Sequence, residues 1–157
     1  MSQNALPKVS IVTPSFNQAP FLEQTLRSVL EQDYPNLEYI VIDGGSTDGS
    51  LEIIQKYADQ LAYWQSQPDQ GQTDAINQGF DRASGEILAW LNSDDLLLPG
   101  AVNAAARALQ AHPEAAMVYG DALLINAEGK TIGKFPAAQT DYRKLRRGYV
   151  HIPQQAS

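Results

Sequence analysis

The stretch Glu86-Ile87-Leu88-Ala89-Trp90-Leu91-Asn92-Ser93-Asp94-Asp95 passes within one residue from an apolar run to a polar quartet. A short apolar run bounded in this way reads as a buried strand, predicted over Ile87 to Leu91, and the quartet as the loop where it leaves its sheet. In an open parallel α/β sheet, ligands gather at the carboxyl ends of the strands, where acidic side chains meet solvent and substrate. Hard divalent cations that bridge phosphates need such oxygens. The same two carboxylates would also suit plain solvated charge ahead of a helix N-terminus, where the helix dipole favours anions.

On either side of this stretch, helical and strand periodicities alternate. Thr73 to Ala83 is predicted as a helix with Ile76, Phe80 and Ala83 facing inward, and Pro99 opens an alanine-rich helix that runs to about His112. Upstream, Val9 to Thr13 reads as a buried strand. Pro20 to Gln32 follows as a helix with Phe21, Leu22, Thr25, Leu26, Val29 and Leu30 on one face. Leu37 to Ile42 is a second strand. After the turn Asp43-Gly44-Gly45-Ser46-Thr47-Asp48-Gly49, a helix carries Leu51, Ile53, Ile54 and Tyr57, with Asp48 or Ser50 as its N-cap. Ala62 to Gln65 is a short third strand. Downstream, Ala116 to Ile125, the turn Asn126-Ala127-Glu128-Gly129 and Lys130 to Phe135 form a predicted hairpin. Strands alternating with helices imply right-handed crossovers and a mainly parallel central sheet flanked by helices on both faces. The strand-to-helix loops then share one rim.

Composition bounds what that rim can serve. The 157 residues, 43% hydrophobic, fit one domain with a sizeable core. With 11 Lys+Arg against 18 Asp+Glu, the formal charge of -7 disfavours nucleic-acid backbones as partners. An anionic substrate would need a local remedy, a metal or backbone amides. The absence of cysteine excludes disulfides, thiolate metal sites and a cysteine nucleophile. Met1-Ser2-Gln3-Asn4 lacks the basic and apolar regions of a signal peptide, and no apolar stretch approaches membrane-spanning length. The expected location is cytoplasmic.

Three of the rim loops are polar: Pro14-Ser15-Phe16-Asn17, Asp43-Gly44-Gly45-Ser46 and Asn92-Ser93-Asp94-Asp95. Each has a bland alternative. Ser15 and Asn17 would cap the first helix, Asp43 with its two glycines would form only a turn, and Asp94 with Asp95 would be loop charge. Their coincidence on one rim points to a nucleotide and metal site. Asp43, at a strand end beside small residues, leaves room for a flat ring to approach the backbone while its carboxylate accepts an imide or hydroxyl proton. A nicotinamide-binding enzyme would want a glycine fingerprint at the first strand-helix turn, and Pro14-Ser15-Phe16-Asn17 has no glycine.

Val9-Ser10-Ile11-Val12-Thr13-Pro14-Ser15-Phe16-Asn17, Leu26-Arg27-Ser28-Val29-Leu30-Glu31-Gln32 and Tyr39-Ile40-Val41-Ile42-Asp43-Gly44-Gly45-Ser46-Thr47-Asp48-Gly49-Ser50 resemble the opening of glycosyltransferase family 2, the inverting nucleotide-sugar transferases. So do Gln70-Gly71-Gln72-Thr73-Asp74-Ala75-Ile76-Asn77-Gln78-Gly79 and Ala89-Trp90-Leu91-Asn92-Ser93-Asp94-Asp95, in the same order along nearly the whole chain. The resemblance implies a Rossmann-like α/β domain of GT-A type over 1–157, with a donor-binding half at 7–112 and a hairpin and start of the acceptor region at 113–157. It implies a nucleotide diphosphate sugar donor, commonly UDP-linked, with Mg²⁺ or Mn²⁺, and a saccharide or lipid-linked acceptor.

By position, Thr13, Pro14 and Ser15, with Asn17 beside them, would line the base and ribose. Asp43 would contact the uracil edge, and Asp69, Gln72 and Asn77 would close the nucleotide side. Asn92 and Asp94 fall on the two outer places of the family's acidic metal motif. Asn92 brings no charge, so the metal is expected on Asp94 with Asp95, and Asn92 would bond a ribose hydroxyl. Gly44 stands where many members have a second Asp. The family's general base lies well downstream and is not placed in this sequence; Asp121 is a candidate for acceptor binding, against the plainer reading of a solvated edge carboxylate. His151 would line an acceptor pocket or simply pack. Arg143, Lys144, Arg146 and Arg147 would attract a lipid diphosphate near a membrane surface or form a solvated face. Because the family segment continues where this sequence stops, the chain is expected to be the donor-binding portion of a longer enzyme, binding donor with metal but turning over poorly. A non-catalytic nucleotide or carbohydrate-binding module of the same fold, and a nucleotidyltransferase, are the alternatives.

Overall fold

The computed structural model describes residues 6–138 and 143. The elements are β1 (Val9–Ser15), α1 (Ala19–Leu30), β2 (Leu37–Asp43), α2 (Ser50–Tyr57), β3 (Tyr63–Ser66), α3 (Gln72–Phe80), β4 (Ile87–Trp90), α4 (Ala101–Ala111), β5 (Ala122–Ile125) and β6 (Thr131–Phe135), with a 3-10 turn at Ala58–Gln60. The chain divides into two compact units after Arg107.

In the first unit, four parallel strands lie in the order β3-β2-β1-β4. Alternation along β1 and β2 sends residues to two clusters, as period-two geometry requires. Val9, Ile11, Tyr39 and Val41 pack with Leu22, Leu26 and Val29 of α1, Ile54 of α2 and Val102 and Ala106 of α4. Val12, Ile40 and Ile42 pack on the opposite face with Ala75 of α3. The expected inward residues of α3 shift accordingly. Ala75 and Gly79 are the buried pair, while Phe80 and Ala83 pack partly buried at the border. Gly79 permits this contact, since a Cβ there would stand 2.3 Å from Val12 Cγ1.

Two strand readings need correction. β1 continues through Pro14 to Ser15, beyond the predicted end at Thr13. Proline is tolerated because β1 and β4 pair only as far as Val12 and Trp90, so its missing N–H falls on a side without a ladder partner. β4 is not a strand buried on both faces. Ile87 and Ala89 pack against the core, but Leu88 is 49% and Trp90 42% exposed.

The second unit contains the expected hairpin, with β5 and β6 antiparallel and a register shift at Leu124/Ile125. The strand predicted from Ala116 begins only at Ala122. Asp121 just before it is occupied, accepting Ala137 N at 2.8 Å and pairing with Lys134 Nζ at 2.5 Å. The hydrogen bond and charge of Lys134, then the Ala137 amide, hold its carboxyl below the ordinary value. These two contacts tie Asp121 to the hairpin and its following residues. Arg143 is exposed. Lys144, Arg146, Arg147 and His151 lie outside the described residues.

The amino rim of the parallel sheet is tied by Glu38, which accepts Ser10 Oγ at 2.5 Å, Ser84 N at 2.7 Å and Ser84 Oγ at 2.7 Å. It also pairs with Lys8 Nζ at 2.6 Å, its own side chain 11% exposed. Burial alone would raise this carboxyl, but the hydrogen bonds from Lys8, Ser10 and Ser84 outweigh it and bring it down to about 2. A carboxyl depressed by folding contributes stability that is present above its unfolded value and is lost as pH falls through its folded value. Glu38→Gln is therefore expected to cost about 2 kcal/mol at neutral pH. It should also flatten the acid-side loss of stability between 4.5 and about 2. Urea titrations across that range would show the difference from the parent, and parallel curves would refute it.

Candidate functional site

At the carboxyl rim the ends of β1, β2 and β3 come level, Ser15 beside Asp43 and Asp43 beside Ser66. The loops after β1 and β2 are laced together. Gly44 N donates to Ser15 O at 2.9 Å. Asn17 adopts a left-handed backbone, φ 53, a conformation that asparagine tolerates better than most residues. There its N donates to Ser46 Oγ at 2.8 Å and its Oδ1 accepts Thr47 N at 2.9 Å.

Neither Ser15 nor Asn17 caps α1. Its opening amides are met from the second loop, Gln18 N by Ser50 Oγ at 3.2 Å and Ala19 N by Asp48 Oδ2 at 2.9 Å. The N-cap position of α2 is Gly49, without a side-chain bond, so the expected Asp48 or Ser50 cap is displaced by one residue. Asp48 still accepts Ser50 N at 3.0 Å. Burial would raise the Asp48 carboxyl, but the bonds from Ala19 and Ser50 outweigh it and hold it below the ordinary value.

Asp43 is fully buried. Its Oδ2 accepts Gly45 N at 3.1 Å, Ser46 N at 2.9 Å and Ser66 Oγ at 2.6 Å, and its Oδ1 accepts Ser46 Oγ at 2.5 Å. It organises the loop, and a base edge could meet it only if the Ser46 hydroxyl turned away. The room expected over Gly44 is also taken. A Cβ at Gly44 would stand 3.0 Å from Asp69 Oδ2, so the Asp69 carboxylate lies over this backbone. Asp69 Oδ1 accepts Gly71 N at 2.8 Å.

Thr13 is buried in β1 and shares a 2.8 Å hydrogen bond with Tyr39 Oη, and Pro14 is buried beside it. Ser15 differs from both. It is 4% exposed, and its Oγ is buried with no hydrogen-bond partner. An orphaned buried hydroxyl is costly and asks for a ligand. The next residue, Phe16, is 60% exposed, an aromatic ring left in solvent beside the laced loops. Sequence reasoning passed over it, although an aromatic between a strand end and a helix-opening polar pair was the available signal.

Across the rim, Gln72 Nε2 donates to Asn92 Oδ1 at 2.7 Å, and Asn92 Nδ2 donates to Asp95 Oδ2 at 3.0 Å. Asn92 thereby couples the third and fourth loops. Asn77 is exposed on α3. Burial, moderated by the Asn92 bond and reinforced by the neighbouring Asp94 charge, pushes the Asp95 carboxyl up to about 6. Neither Asp94 nor Asp95 forms an ion pair among the described residues. No group of three acidic, histidine or cysteine ligands is found among them either. Two carboxylates are nonetheless the complement that Mg²⁺ or Mn²⁺ uses when phosphate oxygens and water complete its shell, so the residues fit such an ion.

The acidic loop is positioned by a stripe on α1 and by Gln32 in the turn just after it. Thr25 Oγ1 donates to Ser93 O at 2.9 Å, Ser28 Oγ accepts Leu97 N at 3.1 Å, and Gln32 Nε2 donates to Leu98 O at 3.0 Å. Gln32 Oε1 also receives Val102 N at 3.3 Å. A separate depression of about 370 Å³, lined by Leu30, Tyr34, Leu37, Tyr39 and Leu61, contains none of the rim residues.

The family described as Glycosyl transferase family 2 matches residues 10–153, a span that includes every rim segment above. The chain belongs to glycosyltransferase family 2. An uncharacterised glycosyltransferase of Mycobacterium tuberculosis is 37% identical over 155 residues, covering 96% of this chain and 58% of the relative. The chain thus spans little more than half of that protein's length. The GalNAc(5)-diNAcBac-PP-undecaprenol beta-1,3-glucosyltransferase of Campylobacter jejuni is 36% identical, covering 83% of this chain and 42% of the relative. Among solved structures, S. aureus TarS in complex with UDP-GlcNAc superposes with a TM-score of 0.62 at 28% identity, covering 68% of this chain and 32% of TarS. The mannosyltransferase PcManGT of Pyrobaculum calidifontis, in complex with GDP-Man and Mn²⁺, gives 0.64 at 29% identity, covering 78% and 37%. The family's GT-A fold accounts for the parallel sheet, its flanking helices and the position of the rim.

Proposed function

We propose that this chain binds a nucleoside diphosphate sugar, UDP-linked, together with Mg²⁺ or Mn²⁺, as the donor side of an inverting glycosyltransferase. The observation that carries the reading is the orphaned Ser15 hydroxyl, buried at the strand end beside Asp43 and flanked by the exposed Phe16 ring. Phe16 offers a face for the base, and Ser15 Oγ meets a polar atom of the base or ribose. Asp69 and Gln72 close the opposite side, with Asn77 further along α3. Asp43 keeps the loop in shape and reaches the base edge only with the Ser46 hydroxyl turned aside.

Asp94, with Asp95 beside it, would hold the metal. Such an ion supplies charge stabilisation to a diphosphate leaving group. Asn92 keeps Asp95 and Gln72 in place and has a carbonyl oxygen and an amide to offer a ribose hydroxyl. The acceptor is a hydroxyl of a saccharide or a lipid-linked saccharide, met by a general base that none of the rim residues provides. The name of the Campylobacter relative, which includes an undecaprenol carrier, supports a lipid-linked acceptor and work at the cytoplasmic membrane face. Among the described residues no helix is long and apolar enough to cross a membrane. A guanine base is the second reading, supported by the GDP-Man bound in PcManGT.

Calorimetric titration with UDP and with GDP, each with and without Mn²⁺, tests the proposal. Metal-dependent heat with UDP is expected, and its loss on adding EDTA. Phe16→Ala should weaken UDP about tenfold, the scale of one lost base-aromatic stack. Absence of binding to either nucleotide with metal would sink the reading.

A further inference from the structure

The loop joining β3 to α3 carries Asp69 and leads directly into Gln72, the first residue of α3, and both are proposed donor-facing residues. Gly71 sits at φ 104 with nothing within 4 Å of where a Cβ would be. One carboxylate oxygen gathers this loop. Asp74 Oδ2 accepts Gln70 N at 3.1 Å and Gln78 Nε2 at 2.8 Å.

The anchoring continues away from the rim. Gln78 Oε1 receives Gln65 Nε2 at 2.6 Å, and Gln65 Oε1 receives Tyr63 Oη at 2.9 Å and Arg82 Nη2 at 3.2 Å. The Arg82 guanidinium also lies 4.6 Å from the Tyr63 ring centroid. Residues 74, 78 and 82 are four apart, so they form one stripe along α3 and its end. Tyr63 and Gln65, two apart on β3, share one face opposite that stripe. In the other direction Gln72 reaches Asn92, and Asn92 reaches Asp95. Side chains from an edge strand to the metal corner are thus joined through one short stretch of backbone, Gln70 to Gln72.

We propose that Asp74 is a positioning residue of the donor site, holding the Gln70 amide so that Asp69 and Gln72 face the nucleotide and Gln72 stays in reach of Asn92. The inference rests on the donor-site reading above. Asp74 acts by geometry and not by charge, because both bonds converge on a single oxygen. An asparagine carbonyl in the same place accepts both.

The alternative is an ordinary cap at the start of α3, and the two are separable. A cap that serves only the helix lowers thermal stability without changing nucleotide affinity; a positioning residue changes affinity as well. The test titrates UDP in the presence of Mn²⁺ into the unsubstituted chain, Asp74→Ala, Asp74→Asn and Gln78→Leu, with each variant's folding checked by circular dichroism and its ligand-free melting midpoint recorded. Asp74→Ala is expected to weaken UDP about tenfold, the scale of lost support behind a ligand-bearing group. Asp74→Asn should stay within about twofold, and Gln78→Leu should fall between them. Amide exchange without ligand gives an independent readout: Gln70 and Gly71 should exchange faster in Asp74→Ala and at the parental rate in Asp74→Asn. Parental affinity and exchange in Asp74→Ala overturn the inference while leaving the donor site standing. Equal loss in Asp74→Asn and Asp74→Ala overturns it too, since charge would then be the operative property. No UDP binding by the unsubstituted chain overturns the donor-site reading and the inference with it.

Discussion

Asp94→Ala is expected to abolish metal-dependent binding of UDP, weakening it by about 100-fold or more in the presence of Mn²⁺ while leaving the weak metal-free binding unchanged. The reason lies in how charge is distributed at the end of β4. The first acidic place of the motif is Asn92, which is neutral, and its amide is already committed to Gln72 on one side and Asp95 on the other. Asp95 shares its Oδ2 with that amide and is half-buried. Among the described residues Asp94 is the carboxylate of this corner with no ion pair to give up before it meets a cation. Asp94→Asn keeps the shape and removes the charge, and should be nearly as damaging. Titrations at fixed Mn²⁺ and in EDTA measure both terms, and ligand-free melting separates them from folding. Parental affinity in Asp94→Asn would move the metal away from this corner.

The second large effect belongs to the opposite rim. Gly85→Ala is expected to destabilise the fold by about 3 kcal/mol, a substitution of one methyl. A Cβ at Gly85 would stand 2.6 Å from Ser10 Oγ, 2.7 Å from Ser10 N and 2.8 Å from Lys8 O. Two of those three atoms are backbone, which cannot swing aside as a side chain would. The site is also where Gly85 N donates to Ser10 Oγ at 2.9 Å and Ile87 N to Lys8 O at 3.1 Å, so a shift there pulls β4 from β1. Equilibrium urea unfolding reads the loss directly. A variant within about 0.5 kcal/mol of the parent would show that the approach relaxes at little cost.

The alternation of strands and helices was legible in the sequence because apolar periodicity survives in each segment and proline or glycine punctuates the joins. The order of elements and the shared rim follow from that alternation alone. What was not legible depends on neighbours in space. Leu88 and Trp90 read as buried because an apolar run cannot distinguish a strand covered on both faces from an edge strand covered on one. Capping of α1 by Ser15 and Asn17, the plain alternative to a ligand role, was sought locally, whereas the actual partners, Asp48 and Ser50, come from the β2–α2 loop and the first residue of α2. Asp43 and Gly44 read as an open floor for a flat ring. The Asp69 carboxylate that fills it arrives from 25 residues downstream, a distance at which spacing carries no signal. Asn92 shows the converse: its departure from acidity was visible in the sequence, but its use as a two-sided amide link was not.

The stripe Thr25 and Ser28, with Gln32 just after the helix, has a consequence for how this chain tolerates changes of length. Surface connections ordinarily absorb insertions at small cost. The connection from Ser93 to Val102 is held at Ser93 O and Leu97 N by Thr25 and Ser28, whose spacing is set by the rise of α1, and at Leu98 O and Val102 N by Gln32 in the turn just after that helix. A helix is a ruler that cannot stretch, so an added or deleted residue between 93 and 102 puts every later attachment out of phase. The turn at Asn126–Gly129 is closed by bonds among Asn126, Gly129 and Lys130, and among the described residues it has no such ruler beside it. Length variation in this lineage of sequences should accordingly collect at that turn and be purged from the acidic loop.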